Sequence, residues 1–202
     1  MHYYLTSTMF FKKKPKGPTK KYIAYMSKMA KYRVVMTKFS EAPGQQLIVY
    51  FFDQTRSEIE QMSHAIGITL KSPNELANEN DLILCSAYEL ATNQFGSINK
   101  VVAMEVHPIG STNELIAKRF EGETDMEIEF HLGMDEAALA PFGMDRITNI
   151  MKQMGMQENE PIEHSMVARS IEKGLAKQEA KLGSNHQDIR TSQEDWMSAN
   201  KC

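Results

Sequence analysis

The sequence predicts an α/β fold, with a mainly parallel sheet flanked by helices and an all-helical C-terminal extension. Three features carry that reading. Short β-branched and aromatic runs alternate with amphipathic stretches through the first two thirds of the chain. Strands separated by helices imply right-handed βαβ units. From Asp135 onward the pattern is helical, punctuated by Pro141, Gly143, Gly155 and Pro161.

Taken in order, Tyr22 to Phe39 reads as a helix, since Tyr22, Tyr25, Met26, Met29, Tyr32, Val35, Met36 and Phe39 recur at three- and four-residue spacing. Ala42-Pro43-Gly44 ends it. Gln46 to Phe52 is a continuous β-branched and aromatic run, expected of a strand buried on both faces. Asp53-Gln54-Thr55 should cap a helix reaching about Ile66, with Ile59, Met62 and Ile66 inward. Ile68 to Leu70 and Asp81 to Ser86 read as strands, Ala87 as the start of a helix, and Lys100 to Val106 as a third long strand. Thr112 to Phe120 should be helical, and the alternating Met126 to Leu132 suits an outer strand.

Composition sets the class. Of 202 residues, 42% are hydrophobic and 24% charged, enough for a real core in a globular domain. The longest apolar run, Leu47 to Phe52, is far too short to cross a bilayer. Two cysteines, Cys85 in an apolar run and Cys202, make no disulfide framework, and six scattered histidines show no metal-ligand spacing. A cytoplasmic-type chain without a structural metal is expected. Fifteen methionines fall mostly at core spacing, so they read as a soft core before a binding surface.

The net charge of −3 hides a cluster: Lys12, Lys13, Lys14, Lys16, Lys20 and Lys21 crowd one Pro/Gly-containing stretch. The ordinary reading is a solvated flexible arm over residues 1–21. The functional alternative is peripheral contact with an anionic membrane. The lysines lack interleaved aromatics, which disfavours nucleic acid.

The segment from Phe142 to Arg190 carries more specific information. It contains Phe142-Gly143, Asp145-Arg146-Ile147, Met154-Gly155-Met156 and Glu160-Pro161-Ile162-Glu163-His164. Met166-Val167-Ala168-Arg169-Ser170-Ile171-Glu172 follows, and then Asp188-Ile189-Arg190. In this order the phrases resemble SecA, the preprotein translocase ATPase, where its second nucleotide-binding fold passes into the helical scaffold. Ala30-Lys31-Tyr32-Arg33-Val34-Val35 and Pro43-Gly44-Gln45 extend the resemblance more weakly toward the N-terminus, so that it covers about Met29 to Arg190. The resemblance implies a RecA-like α/β domain over residues 22–140 and a helical scaffold-like segment over 141–202.

Chemistry is less favoured than the resemblance would suggest. Binding a triphosphate on such folds needs G-x-x-x-x-G-K-[ST], whose amides and lysine neutralise the phosphates, and the string is absent from these residues. In the family, arginines of the second fold face the phosphates; the positions matching them here are Ile116, Lys118 and Glu121. Isoleucine donates nothing, glutamate repels phosphate, and lysine lacks the planar fork. Arg119 is one residue off, which turns it about 100° away on a helix. The family's glycine-rich loop meets Ser86 to Asn93, without its glycines or arginine. No cofactor is therefore expected, ATP entering only if a partner domain completes the site.

Other candidates have structural readings. Glu163-His164 suits a helix start, Asp145-Arg146 an ion pair, Asp53 a helix cap and Trp196 an anchor for the tail. Cys85 should be inert within a strand. Glu160-Pro161 should open the long helix of the extension, with Ile162, Met166, Ala168, Ile171 and Leu175 facing the core. Two functions follow from the resemblance: a non-hydrolysing interaction module that meets a translocase component or client protein, or one part of a split translocation ATPase.

Overall fold

A computed structural model describes residues 17–41, 46–75, 81–95, 98, 100–153 and 155–202, with the side chains of residues 145, 146 and 150 left aside. Six strands form one sheet: β1 (Thr19–Tyr25), β2 (Gln46–Tyr50), β3 (Leu70–Lys71), β4 (Leu82–Ser86), β5 (Lys100–Ala103) and β6 (Glu127–Gly133). Their spatial order is β1-β6-β5-β2-β4-β3, and every pairing is parallel. The α/β class expected from the sequence, a parallel sheet flanked by helices, is the class observed.

Parallel strands buried on both faces read as continuous apolar runs, and all five residues of β2 are buried. Alternate residues face opposite layers. Ile23, Tyr25, Ile48, Tyr50, Val102 and Met104 meet α1 (Lys28–Glu41) and α2 (Asp53–Ala65) on one side. Ala24, Leu47, Val49, Val101, Phe130 and Leu132 meet α3 (Gly110–Arg119) and the C-terminal elements on the other. Those elements are a 3-10 turn (Ala137–Phe142), α4 (Met144–Gln153), α5 (Ser165–Leu182) and α6 (Gln193–Ala199).

The structure corrects several expectations. Tyr22 to Tyr25 belong to β1, so the helix begins only at Lys28. A strand buried on both faces and a helix both put apolar residues at three- and four-residue intervals, and the spacing cannot separate them. Lys20 and Lys21 lie in β1 as well, not in a flexible arm; Lys12, Lys13, Lys14 and Lys16 lie outside the described residues. The strand at Glu127–Gly133 is internal, since β1 covers its outer side. No helix starts at Ala87. Residues 87–92 form turns instead, in which Thr92 Oγ1 and Asn93 Nδ2 both donate to the Glu89 carbonyl (2.9 Å each). Ile66 is 53% exposed, outside the apolar face of α2.

The Glu160-Pro161 step lies outside any helix, and α5 opens only at Ser165. Ile162 pairs antiparallel with Ala24 (Ala24 N to Ile162 O 3.1 Å, Ile162 N to Ala24 O 2.8 Å), covering the exposed edge of β1. His164 is the N-cap of α5, its Nδ1 accepting from Met166 N at 3.2 Å. Val167, Ile171 and Leu175 point inward, while Met166 is 71% exposed.

Candidate functional site

Doubly wound folds bind ligands beyond the carboxyl ends of their strands, where helix N-termini offer free amides. Here that crevice is built from the ends of β2 and β5, the start of α2, and the segment Asp188 to Ala199. Glu105, just past β5 and fully buried, is its hub. Its carboxylate accepts from Phe51 N (2.8 Å), Phe52 N (3.0 Å), Thr55 Oγ1 (2.7 Å) and Gln193 Nε2 (2.9 Å). Four donors on two oxygens satisfy a charge that would otherwise be very costly to bury.

Beside the hub, the buried Lys31 ammonium of α1 donates to the Glu136 carboxylate and the Met104 carbonyl. Burial raises the Glu136 carboxyl above the ordinary carboxylate range, and Lys31 pulls it back only in part. Gln193 Oε1 accepts from Ala138 N at 3.0 Å, so one α6 side chain ties the 3-10 turn to Glu105.

The first amides of α2 are taken by the chain itself. Asp53 N donates to the Arg190 carbonyl (2.8 Å) and Gln54 N to the Thr191 carbonyl (2.9 Å). Asp53 is therefore the first residue of the helix and not its cap, which is Phe52 without a side-chain bond. The Arg190 guanidinium lies 3.8 Å from the centre of the Tyr88 ring and binds Asp188 Oδ2 (3.0 and 2.6 Å).

His107 closes the crevice floor. Its ring stacks on Phe52 (5.6 Å, 8°) and meets Trp196 edge-on (5.3 Å). Nδ1 accepts from Ile109 N at 3.0 Å, and burial drops the imidazole to about 4, so it is neutral at physiological pH. Trp196 is fully buried, an anchor as expected.

A second chain runs from the buried Tyr25 through His131 and Glu129 to the half-exposed Lys100: Tyr25 Oη to His131 Nδ1 3.0 Å, His131 Nε2 to Glu129 2.9 Å, Lys100 Nζ to Glu129 2.7 Å. Burial works against the Glu129 charge, yet His131 and Lys100 hold its carboxyl down to about 2. Burial also lowers His131.

The residues singled out in the sequence scatter. Ile116 is buried in the core, whereas Lys118 and Glu121 are exposed. Arg119 Nε donates to the Leu90 carbonyl at 3.1 Å, and its guanidinium rests over Phe95 and Phe120. Lys20 pairs with Glu114, and Lys21 with Glu163 (2.8 Å) and Glu127 (3.9 Å), so a supposed arm residue meets the motif Glu-Pro-Ile-Glu-His. Phe142 packs on Gly174, and Gly143 takes the left-handed conformation (φ 69°) that ends the 3-10 turn. Ile147 is half-buried in α4, while Glu160, Pro161 and Arg169 are exposed. Asp145 and Arg146 lie in α4, their side chains outside the described set. Cys85 is buried, its thiol pushed up to about 12 by desolvation.

Sequence reasoning missed Lys31, Glu105, His107, Glu136 and Gln193. Single polar residues bordering apolar runs have no spacing signature, and their partners lie 50 to 105 residues away for Glu105 and Lys31. Among the described residues, no group of three or more His, Cys, Asp or Glu is placed to hold a metal, and no helix is long and apolar enough to cross a membrane.

Fold and crevice together define the class: a parallel α/β domain whose carboxyl edge is closed by its own C-terminal segment. Sequence comparison then points where the motifs point, to SecA. Over 181 residues the chain is 26% identical to the protein translocase subunit SecA of Helicobacter hepaticus, covering 78% of this chain and 21% of that protein. It is 50% identical over 46 residues to the subunit of the same name from Oleidesulfovibrio alaskensis, covering 23% of this chain and 5% of that one. With the Legionella pneumophila subunit the identity is 36% over 67 residues, 33% of this chain and 7% of the relative. The chain thus spans a small part of the relatives it matches. No family model matches it. Among solved structures, the C-terminal domain of the DEAD-box protein Dbp5 aligns with 68% of this chain and 98% of its own (TM-score 0.41, 13% identity).

Proposed function

We propose that this chain is a SecA-like interaction module of protein translocation that does not hydrolyse ATP, working in the cytoplasm on a translocase component or a client protein. The observation that carries this is the closure of the crevice: the amides of Asp53 and Gln54, which an anion would need, are engaged by Arg190 and Thr191. The absence of G-x-x-x-x-G-K-[ST] from the sequence and the non-arginine residues at 116, 118 and 121 support the same reading. The translocase link rests on the likeness to SecA of Helicobacter hepaticus.

Isothermal titration with magnesium ATP, and sedimentation velocity of the chain mixed with SecA or with an unfolded preprotein, test both halves. The expected result is no heat from ATP and a shifted boundary with one of the proteins. Micromolar ATP binding overturns the first half, and unchanged sedimentation with both proteins overturns the second. Hydrolysis appearing only on addition of a separate phosphate-binding domain would establish a split enzyme instead.

A further inference from the structure

A groove of about 560 Å³ opens between the 3-10 turn and α5, floored by Pro141 and Phe142 and walled by one face of α5. None of its lining residues belongs to the crevice. Three features say what it would hold. Lys173, Lys177 and Lys181 line it and are exposed, and no acidic residue does. None of the three lysines forms an ion pair among the described residues. The acidic side chain of α5 that is engaged, Glu179, is turned to α3, where it accepts from Ser111 N at 3.0 Å. The third feature is Gln178. It is 6% exposed and lines the groove; its amide nitrogen reaches Met197 Sδ (3.6 Å), while its Oε1 is buried without a partner. A buried acceptor left unmade calls for a donor.

We propose that this groove docks an acidic amphipathic peptide segment of a protein partner. Lysines four residues apart on a helix stand roughly 6 Å apart, a spacing matched by carboxylates at i, i+4 and i+8 of an approaching helix. An apolar side chain of that segment would lie on Phe142, and a side-chain or terminal N–H would reach Gln178. A flat anionic bilayer could meet the lysines but not the recessed amide, which favours a peptide.

The test is fluorescence anisotropy of the intact chain with a fluorescein-labelled helical peptide carrying Glu at i, i+4 and i+8 and a central Leu. Saturable binding at low salt is expected. It should weaken at least about tenfold in Lys173→Glu/Lys177→Glu/Lys181→Glu and stay within about twofold in the control Lys118→Glu/Lys152→Glu. The same peptide with Gln for Glu should not bind. Cys202 lines the groove, whereas Cys85 is buried, so bound peptide should slow alkylation of Cys202 severalfold. Because the lysines are exposed, unchanged thermal melting of the variants is the folding control. Absent binding, equal binding by the triple reversal, or an unprotected Cys202 would overturn the proposal. So would lysine-dependent sedimentation with phosphatidylglycerol vesicles while the peptide fails to bind, since that result assigns the patch to a membrane.

Discussion

Ala24 and Ile162 exchange two backbone hydrogen bonds, and through them the motif Glu-Pro-Ile-Glu-His meets the edge of the sheet at a single antiparallel bridge. A sheet edge is a row of unpaired donors and acceptors, so this pairing also protects β1. The adjoining Lys21–Glu163 ion pair fixes the same strip from outside.

Replacing Ile162 by proline removes the donor to Ala24 O and leaves that acceptor unmade. A loss of about 1–3 kcal/mol is expected, read as a lower urea midpoint at unchanged slope. A midpoint within error of the parent would mean that the edge pairing contributes nothing in solution.

Glycine in mid-helix ordinarily gives way to alanine with a gain of about 0.5–1 kcal/mol. At Gly174 the sign should reverse, because a Cβ there would meet Phe142 Cγ at 2.5 Å and both Cδ atoms within 2.7 Å. Gly174→Ala should destabilise by about 1–3 kcal/mol. In a Phe142→Ala background the same change should become neutral or stabilising, and a double-mutant cycle by thermal melting measures the coupling.

Glu105→Gln keeps the shape of the hub but turns an amide NH₂ toward donors. With Phe51, Phe52, Thr55 and Gln193 all donating to this carboxylate, orphaning even one donor costs about 1–3 kcal/mol. A fall of at least about 2 kcal/mol in unfolding free energy is expected, with a matching loss of amide-exchange protection at Phe51 and Phe52. Protection retained at both amides would show that the hub does not hold the crevice.

His107 should make stability depend on pH. Its folded value is about 4, against 6.5 for an unburied imidazole. The unfolded state therefore takes up the proton first, and stability is complete above pH 6.5 and falls as the pH drops toward 4. The loss is on the order of 3 kcal/mol at most. Urea unfolding at pH 7, 5.5 and 4.5 should show this fall in the parent and a flatter profile in His107→Phe. Parallel profiles would place the acid sensitivity elsewhere, for instance at His131, where burial acts in the same direction.

What could be read in advance divides along physical lines. Gln46–Tyr50 and Leu82–Ser86 were legible because each is a short, continuous apolar run of the kind a strand buried on both faces needs. β1 was not, since Lys20 and Lys21 resemble a solvated arm until Glu114 and Glu163 are seen opposite them. The Phe142 to Arg190 motifs led to SecA without revealing what their residues touch. Glu160-Pro161 carries the marks of a helix start, yet Ile162 pairs with the edge of β1 and the helix opens only at Ser165. The polar hub around Glu105 was invisible because it is assembled from three separate stretches of chain.

The engagement of Asp53 by Arg190 also bears on how the protein is made. Strands β1 to β6 emerge from the ribosome before residues 190–197 exist, so the nascent α/β unit must wait with Glu105 one donor short and the Trp196 site unfilled. Contacts across so long a stretch of chain form slowly, and partly assembled parallel sheets expose apolar surface meanwhile. Completion of this architecture therefore waits on residues 190–197, and until they dock the sheet keeps apolar surface exposed.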